Sequence, residues 1–465
     1  LLALEAALYA LLTFRPRSLQ YIDYVDGYYL YVAHRMAQGA VLYRDVQGVQ
    51  PPLLFVAGAL LFRLHDSLAV IRLYALLVHL CIQMLVLLSA YRLYRSQALA
   101  LIAATLFALA PYSWQWDRIF DPNPLVTLLT LASFYALLLD RTEAALLAGV
   151  LGGLAMVTKI WYLPVLVVSV AYLARNQPAR LPRFLFGLVL TLGIVCLLGW
   201  SQVGAAFWQG LLAQDVSPLS LDWLDASIVH VLSDETPLLL AALAGLLLIA
   251  RGRVGLSPLP ALYGLSSVLV LGATIKQGTA WPVFQFAEPA LVLLATALIV
   301  PLPTREGGAG SRVRSSGVLP AILLLLMAAW SLPAIRAAIP ASDSSEHVVT
   351  SAIQRYAPPD AILLAPPFYL YLTHRRAFAE DADINLWELA DRSGNSSASA
   401  ARQRLVQALR RGAVPIVVVD QRVDRLQGVL PTLSTFYRAL SFVDPLPPDR
   451  AVQLWLSRST RPASP

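Results

Sequence analysis

LAVIRLYALLVHLCIQMLVLLSAY, residues 68–91, is an apolar run in which Arg72 and His79 are the basic side chains. About 20 such residues in a helix are enough to cross the hydrocarbon core of a bilayer. The same reading outward gives further runs at 1–14, 97–112, 122–139, 143–158, 160–174, 184–206, 236–250, 256–275, 282–300 and 317–335. The pattern predicts a mainly α, polytopic transmembrane bundle of about eleven spans. A shorter apolar stretch, 52–62, is expected to pack at or within the interface. The first run is short and opens without Met, so it reads as a truncated helix rather than a signal peptide.

Composition agrees. Of 465 residues, 58% are hydrophobic and 14% are charged, against about a quarter charged in soluble domains. This excludes a disordered chain or an ordinary cytosolic enzyme. The net charge is +7, but without the basic runs of a nucleic-acid binder. Cys81 and Cys196 lie inside apolar runs and form neither a disulfide framework nor a zinc pattern. His34, His65, His79 and His230 are scattered and read as structural. All 35 basic residues except Lys159 and Lys276 are arginine, as expected of a bacterium with a GC-rich genome.

Basic residues in alternate short loops mark the cytoplasmic side: Arg92 and Arg95, Arg141, Arg175 to Arg183, Arg251 and Arg253, and Arg305 to Arg314. Residues 15–51, 112–121, 207–235, 276–281 and everything after about 336 then fall outside. The 207–235 loop carries five acids and no Lys or Arg.

After about 340 the apolar runs shorten. AILLAPP (361–367), VPIVVVD (414–420) and VQLWLS (452–457) read as strands, and 345–356, 400–412 and 424–438 as helices, with Gly412 as a C-cap. The expected organisation is a membrane domain, 1–338, and a small extracytoplasmic α/β domain, 339–465, that covers or shapes a site. Asn395-Ser396-Ser397 is a sequon that occurs often by chance.

Ionisable groups at the membrane are costly and mark candidate sites; here they gather on the expected outer face. In the first loop, YIDYVDGYYLYVAHRMAQGAVLYRDVQGVQPPLLF (21–55), Asp23 and Asp26 share a side if the segment is helical. An amphipathic helix from Gly27 to about Gly39 would lie in the membrane plane, with Asp26 as N-cap on the structural reading. Arg44 on a translocated loop suits either that helix or an anionic ligand. In WDRIFDPNPL (116–125), Asp117, Arg118 and Asp121 fall within a turn or so, and Asp121 precedes Pro122 as a cap would. Lys159 and Lys276, at outer helix ends, suit a phosphate or simple snorkelling.

In this order, four stretches resemble the GT-C class of polytopic glycosyltransferases, above all protein O-mannosyltransferases and the aminoarabinose transferase of lipid A. They are DGYYLYVAHRMAQGAVLYRD, QPPLLF, FDPNPLVTLLTLASFYALL and GLAMVTKIWYLP. The resemblance implies that Asp26 is the catalytic acidic residue of the first loop, that Asp121 is the second acidic position and that Lys159 lies near a lipid phosphate. One position departs: Gln50 stands where the lipid A transferase has a lysine that contacts phosphate, so charge would come from Lys159, Lys276, Arg44 or Arg118.

The implied reaction moves a sugar from a polyprenyl-phosphate donor to a hydroxyl of a lipid, glycan or protein on the outer face of a bacterial plasma membrane. Asp26 would be the general base of an inverting displacement. Asp23, Arg44, Asp45, Gln50, Asp117, Arg118, Asp121, Lys159 and Lys276 are the expected binding residues. No metal site is expected from spacing, although the carboxylates are compatible with a divalent cation. The competing readings are a glycolipid flippase and a non-catalytic glycolipid-binding relative.

Overall fold

A computed structural model of the chain describes residues 2–14, 24–139, 141–212, 219–252, 256–276, 281–300, 318–337, 345–378, 396–419, 429–440 and 453–458. Asp23, Arg15, Arg17, most of the linker after 337 and Asn395 lie outside that set.

The described chain is mainly helical. Its helices are α1 (Leu2–Thr13), α2 (Tyr24–Ala37), α3 (Leu53–Leu64), α4 (Leu68–Tyr94), α5 (Gln97–Ala108), α6 (Pro111–Trp116), α7 (Pro122–Leu138), α8 (Thr142–Met156), α9 (Leu163–Asn176), α10 (Leu181–Val203), α11 (Ala205–Leu212), α12 (Leu221–Ala250), α13 (Leu259–Leu269), α14 (Glu288–Ala297), α15 (Val318–Ala337), α16 (Ser345–Tyr356) and α17 (Pro367–Thr373). Two more follow, Ser396–Arg410 and Val429–Phe436. Among the described residues, four helices are long and apolar enough to cross a bilayer: Leu68–Tyr94, Pro178–Val203, Leu221–Ala250 and Val318–Arg336.

The chain divides into two units. The first comprises residues 1–19, 67–199 and 220–340. In it α7 packs on α4 and α8, α5 on α4, and α12 on α14. Small residues permit the closest approach: a Cβ at Gly149 of α8 would meet the Phe184 carbonyl of α10, and one at Gly153 would lie 2.7 Å from Thr191 Cβ. Such small-residue seams let helices pack where lipid offers no hydrophobic drive. Pro237 interrupts the ladder of α12. It removes the donor that would meet the Ser233 carbonyl, and Trp330 Nε1 supplies one from α15 at 3.0 Å.

The largest departure from expectation is α12. The segment 207–235, expected as an acidic outer loop, contains most of α11 and the first half of α12. A 30-residue helix is roughly 45 Å long at about 1.5 Å per residue, against about 30 Å of hydrocarbon. Its excess turns accommodate Asp222 and Asp225, both exposed. A helix can therefore outrun its apolar window, and in sequence its polar turns look like a loop.

The second unit comprises residues 20–66, 200–219 and 341–465. Ile362–Leu363 (β1) and Arg376–Ala377 (β2) form a parallel pair. Ile416–Val419 (β3), Tyr437–Leu440 (β4) and Gln453–Ser457 (β5) form an antiparallel sheet of order β3-β5-β4, with Val418 opposite Leu454 and Ala439 opposite Trp455. Leu405, Leu409, Val417, Val419 and Leu433 make its core, which Tyr437 closes by donating to the Val414 carbonyl at 2.7 Å. Gly412 does end the preceding helix, at φ +68°, with Gly412 N–H on Leu409 O and Ala413 N–H on Ala408 O; this pairing satisfies the last carbonyls. The helix expected over 424–438 is described from Val429 to Phe436, and its last expected residues begin β4.

Candidate functional site

Asp26 lies in the first turn of α2 and is fully buried. The helix is described from Tyr24, ahead of the expected Gly27, so Asp26 is inside it and is not its N-cap. Its neighbour Gly27 packs on the start of α17: a Cβ there would come within 2.7 Å of Phe368 backbone atoms. Bare backbone at Gly27 is what allows the two helices to touch.

Two tyrosines shape the loop after α2. Tyr28 Oη donates to the Gln47 carbonyl at 3.2 Å and accepts from Val49 N–H at 2.9 Å. Tyr43, itself at φ +67°, donates to the Gln50 carbonyl at 2.7 Å. They fix the backbone on which Gln50 stands, before Pro51 and Pro52 lead into α3. Arg44 grips Asp45 through two bonds of 2.9 and 2.8 Å, and Asp45 also accepts from Val41 N–H. The Arg44 guanidinium and that amide hold the Asp45 carboxyl down at about 2. The pair is solvent-exposed and clasps the loop.

In the first unit, Asp121 caps α7 by accepting from Asn123 N–H at 2.7 Å, with Pro122 in the first turn. Asn123 Oδ1 in turn accepts from Lys159 Nζ at 2.5 Å. Lys159 has extended backbone between α8 and the 3-10 turn Ile160–Tyr162 and is only 7% exposed. Lys276 follows the 3-10 turn Val270–Ile275, and its ammonium stands 5.9 Å from the centroid of the Trp161 ring. The structure thus gathers Asp121, Asn123 and Lys159, with Lys276 over a tryptophan two residues from Lys159.

Asp117 is a separate matter. His79 Nδ1 bonds its carboxylate at 2.6 Å, Gln285 Nε2 donates to it, and all three are buried. Tyr9 stacks on the His79 ring at 4.2 Å. His79 is therefore not isolated, as its position in an apolar run suggested; it orients Asp117. Arg118 Nε donates to the Trp114 carbonyl, and its own carbonyl accepts from Arg72.

Three polar residues here escaped the sequence reading. Asn123 was hidden among prolines. Glu288 lies in the apolar run 282–300, and Glu235 ends the acidic stretch 207–235. Both glutamates are buried, and Glu288 Oε1 accepts Tyr112 N–H at 3.0 Å. The signal was a charge inside an apolar run. Among the described residues, no group of three or more His, Cys, Asp or Glu side chains has metal-binding geometry.

Residues 49–208 match the family model described as dolichyl-phosphate-mannose-protein mannosyltransferase. No curated protein sequence matches the chain. Among solved structures, ArnT from Cupriavidus metallidurans bound to undecaprenyl phosphate aligns with a TM-score of 0.69 at 12% identity, over 98% of each chain. Its apo form gives 0.69 at 11% identity, over 98% of this chain and 97% of that one. The arabinofuranosyltransferase AftD from Mycobacteria gives 0.55 at 16% identity, over 98% of this chain and 41% of that one. The chain has the GT-C fold of membrane glycosyltransferases, with apolar helices of membrane-spanning length.

Proposed function

We propose that this GT-C-fold protein transfers a sugar from a polyprenyl-phosphate donor to an acceptor hydroxyl, by inversion, with Asp26 as general base. The fold match to a transferase described with undecaprenyl phosphate carries this reading. The acceptor oxygen attacks the anomeric carbon while its proton passes to the Asp26 carboxylate. The bond from that carbon to the phosphate oxygen breaks, and polyprenyl phosphate leaves with the electron pair. Lys159 and Lys276 offset the charge that develops on the leaving phosphate. Asp121 acts through Asn123, which it holds in place for Lys159.

In this reading about eleven segments span a bacterial plasma membrane, residues 1–338 form the membrane domain, and 339–465 an extracytoplasmic domain. The test offers isotopically labelled polyprenyl-phosphate hexoses and pentoses to the protein in lipid, with membrane extract as acceptor source. Transfer with the opposite anomeric configuration is the expected result. Transfer with retention would remove the single displacement, and absence of transfer from every donor would remove the reading.

One observation favours a second reading, a lipid-linked sugar transporter: Glu235 and Glu288 are buried within helices α12 and α14. Transporters bury ionisable groups inside their helical bundles. Donor counterflow in sealed vesicles without sugar release would support it.

A further inference from the structure

In the first unit, Gln285 lies in the 3-10 turn Trp281–Ala287 and Glu288 opens α14 directly after it. Between them they hold both ends of α6. Glu288 Oε1 accepts Tyr112 N–H at its start, at 3.0 Å, and Gln285 Nε2 donates to Asp117, which follows its last residue. Glu235 reaches the same place from α12, and its carboxyl group adjoins that of Glu288.

Placement accounts for Glu288 alone. It stands in the first turn of α14, where the helix dipole favours an anion, and it has the Tyr112 amide. Glu235 lies in the interior of α12 and has neither. Both side chains are buried, and Glu235 Oε1, Glu235 Oε2 and Glu288 Oε2 have no hydrogen-bond partner. These oxygens have almost no accessible surface, which leaves no room for a water or a metal ion against them. Among the described residues, the other charged groups acting on the pair are Asp234 on Glu235 and Asp117 on Glu288, both acids. The Tyr112 phenol, itself buried without a hydrogen bond, faces Asp234, Glu235 and Glu288, and His230 faces Asp234. No Lys or Arg of α4, α5, α13, α15 or the turn Val270–Ile275 acts on either carboxyl group. Two carboxylates in contact, dry and without a cation, do not both carry charge. An ionised carboxylate only accepts hydrogen bonds, whereas a protonated one donates.

We propose that Glu235 and Glu288 share one proton, held as an O–H···O bond between α12 and α14, and that this bond is a clasp which alkali opens. A proton is the one species small enough for the space, and it supplies the donor that joins the two groups. Bonds of this kind between an acid and its carboxylate are short and strong. A single negative charge then remains, shared by a pair that titrates as a unit, with Tyr112 N–H and the first turn of α14 to stabilise it. Loss of the proton sets two negative charges against each other. The repulsion falls on the turn from Gln285 to Glu288, which holds α6 and, through it, Asp117.

The experiment uses the full chain in phosphatidylcholine nanodiscs, with ¹³C at the glutamate carboxyl carbons. Isotope-edited infrared spectra read the carbonyl stretch of a protonated carboxyl group. Hydrogen exchange of the α6 amides, corrected for base catalysis, is followed from pH 6 to 10. Glu235→Gln keeps the shape and replaces the shared proton by an amide donor, and circular dichroism checks its fold. Wild type should show the protonated band at pH 7 and lose it in alkali, whereas Glu235→Gln should lack it at pH 7. Exchange in α6 should accelerate tenfold or more by pH 10 in wild type and stay level in the variant. Absence of the band from wild type at pH 7, its persistence in Glu235→Gln, or equal acceleration in both proteins overturns the proposal. If the variant does not fold, the wild-type band and its loss in alkali decide alone. No sugar donor enters the experiment, so failure here is separable from failure of the transferase reading.

Discussion

Lys159 donates from Nζ to Asn123 Oδ1 across 2.5 Å, and Asn123 donates its own N–H to the Asp121 carboxylate. One carboxylate that caps a helix thus also fixes the partner of a buried ammonium. Lys159→Met is expected to lower turnover by about 10²–10³-fold, the usual effect of losing one group that stabilises developing charge. Lys159→Arg should restore little, because a guanidinium does not fit the packed position of an ammonium. Steady-state kinetics with a saturating donor checks both, and full activity in Lys159→Met would remove the role.

Asp117 has two buried partners, so its first duty is structural. Asp117→Ala leaves His79 and Gln285 without their acceptor and should cost about 3–5 kcal/mol, read as a large drop in thermal midpoint in detergent. Asp117→Asn keeps an acceptor oxygen for His79 and should retain both fold and turnover. A stable but inactive Asp117→Asn would return this residue to the substrate-binding set.

His34 gives the second unit a pH dependence. Burial holds its imidazole below the usual 6.5; Asp66 pulls it back up, while His374 and Arg35 push it further down. The unfolded chain therefore takes up the proton at a higher pH than the folded one. Stability is fully present above about pH 6.5 and falls as the pH drops through that value towards the folded pKa. Hydrogen exchange of α2 from pH 8 to 5 should show this loss, and His34→Gln should flatten it. Stronger protection at pH 5 than at pH 8 would contradict the assignment.

The α8–α10 seam tolerates no side chain. Gly149→Leu would drive a branched group into the Phe184 carbonyl and should destabilise by about 1–3 kcal/mol. A reduced thermal midpoint with loss of monodisperse protein is the expected readout, and an unchanged midpoint would show that the helices can separate freely.

Much of this was legible because a bilayer reduces the problem to apolar length. Seven of the eleven expected runs end within three residues of a described helix at both ends, while 97–112, 256–275 and 282–300 run four to six residues past α5, α13 and α14 at one end. The largest miss, 236–250, arises because α12 continues as a mostly exposed helix where its sequence turns polar. Asp121 as a cap was readable from the proline that follows it. Asp26 was readable as a candidate, but not its place inside the helix, since nothing in Tyr24-Val25 marks those residues as helical. The Asn123–Lys159 and His79–Asp117 bonds join residues 36 and 38 positions apart. Only the tertiary packing of α7 against α4 and α8 brings such groups together, and no local pattern encodes it.

The central claim is that Asp26 takes the acceptor proton. The most direct test compares wild type with Asp26→Asn in lipid under saturating polyprenyl-phosphate sugar, with donor binding and circular dichroism measured on the same samples. The account predicts turnover lower by about 10²–10⁴-fold, the range for a lost general base, with donor affinity and helical content unchanged. Equal turnover in the two proteins would contradict it.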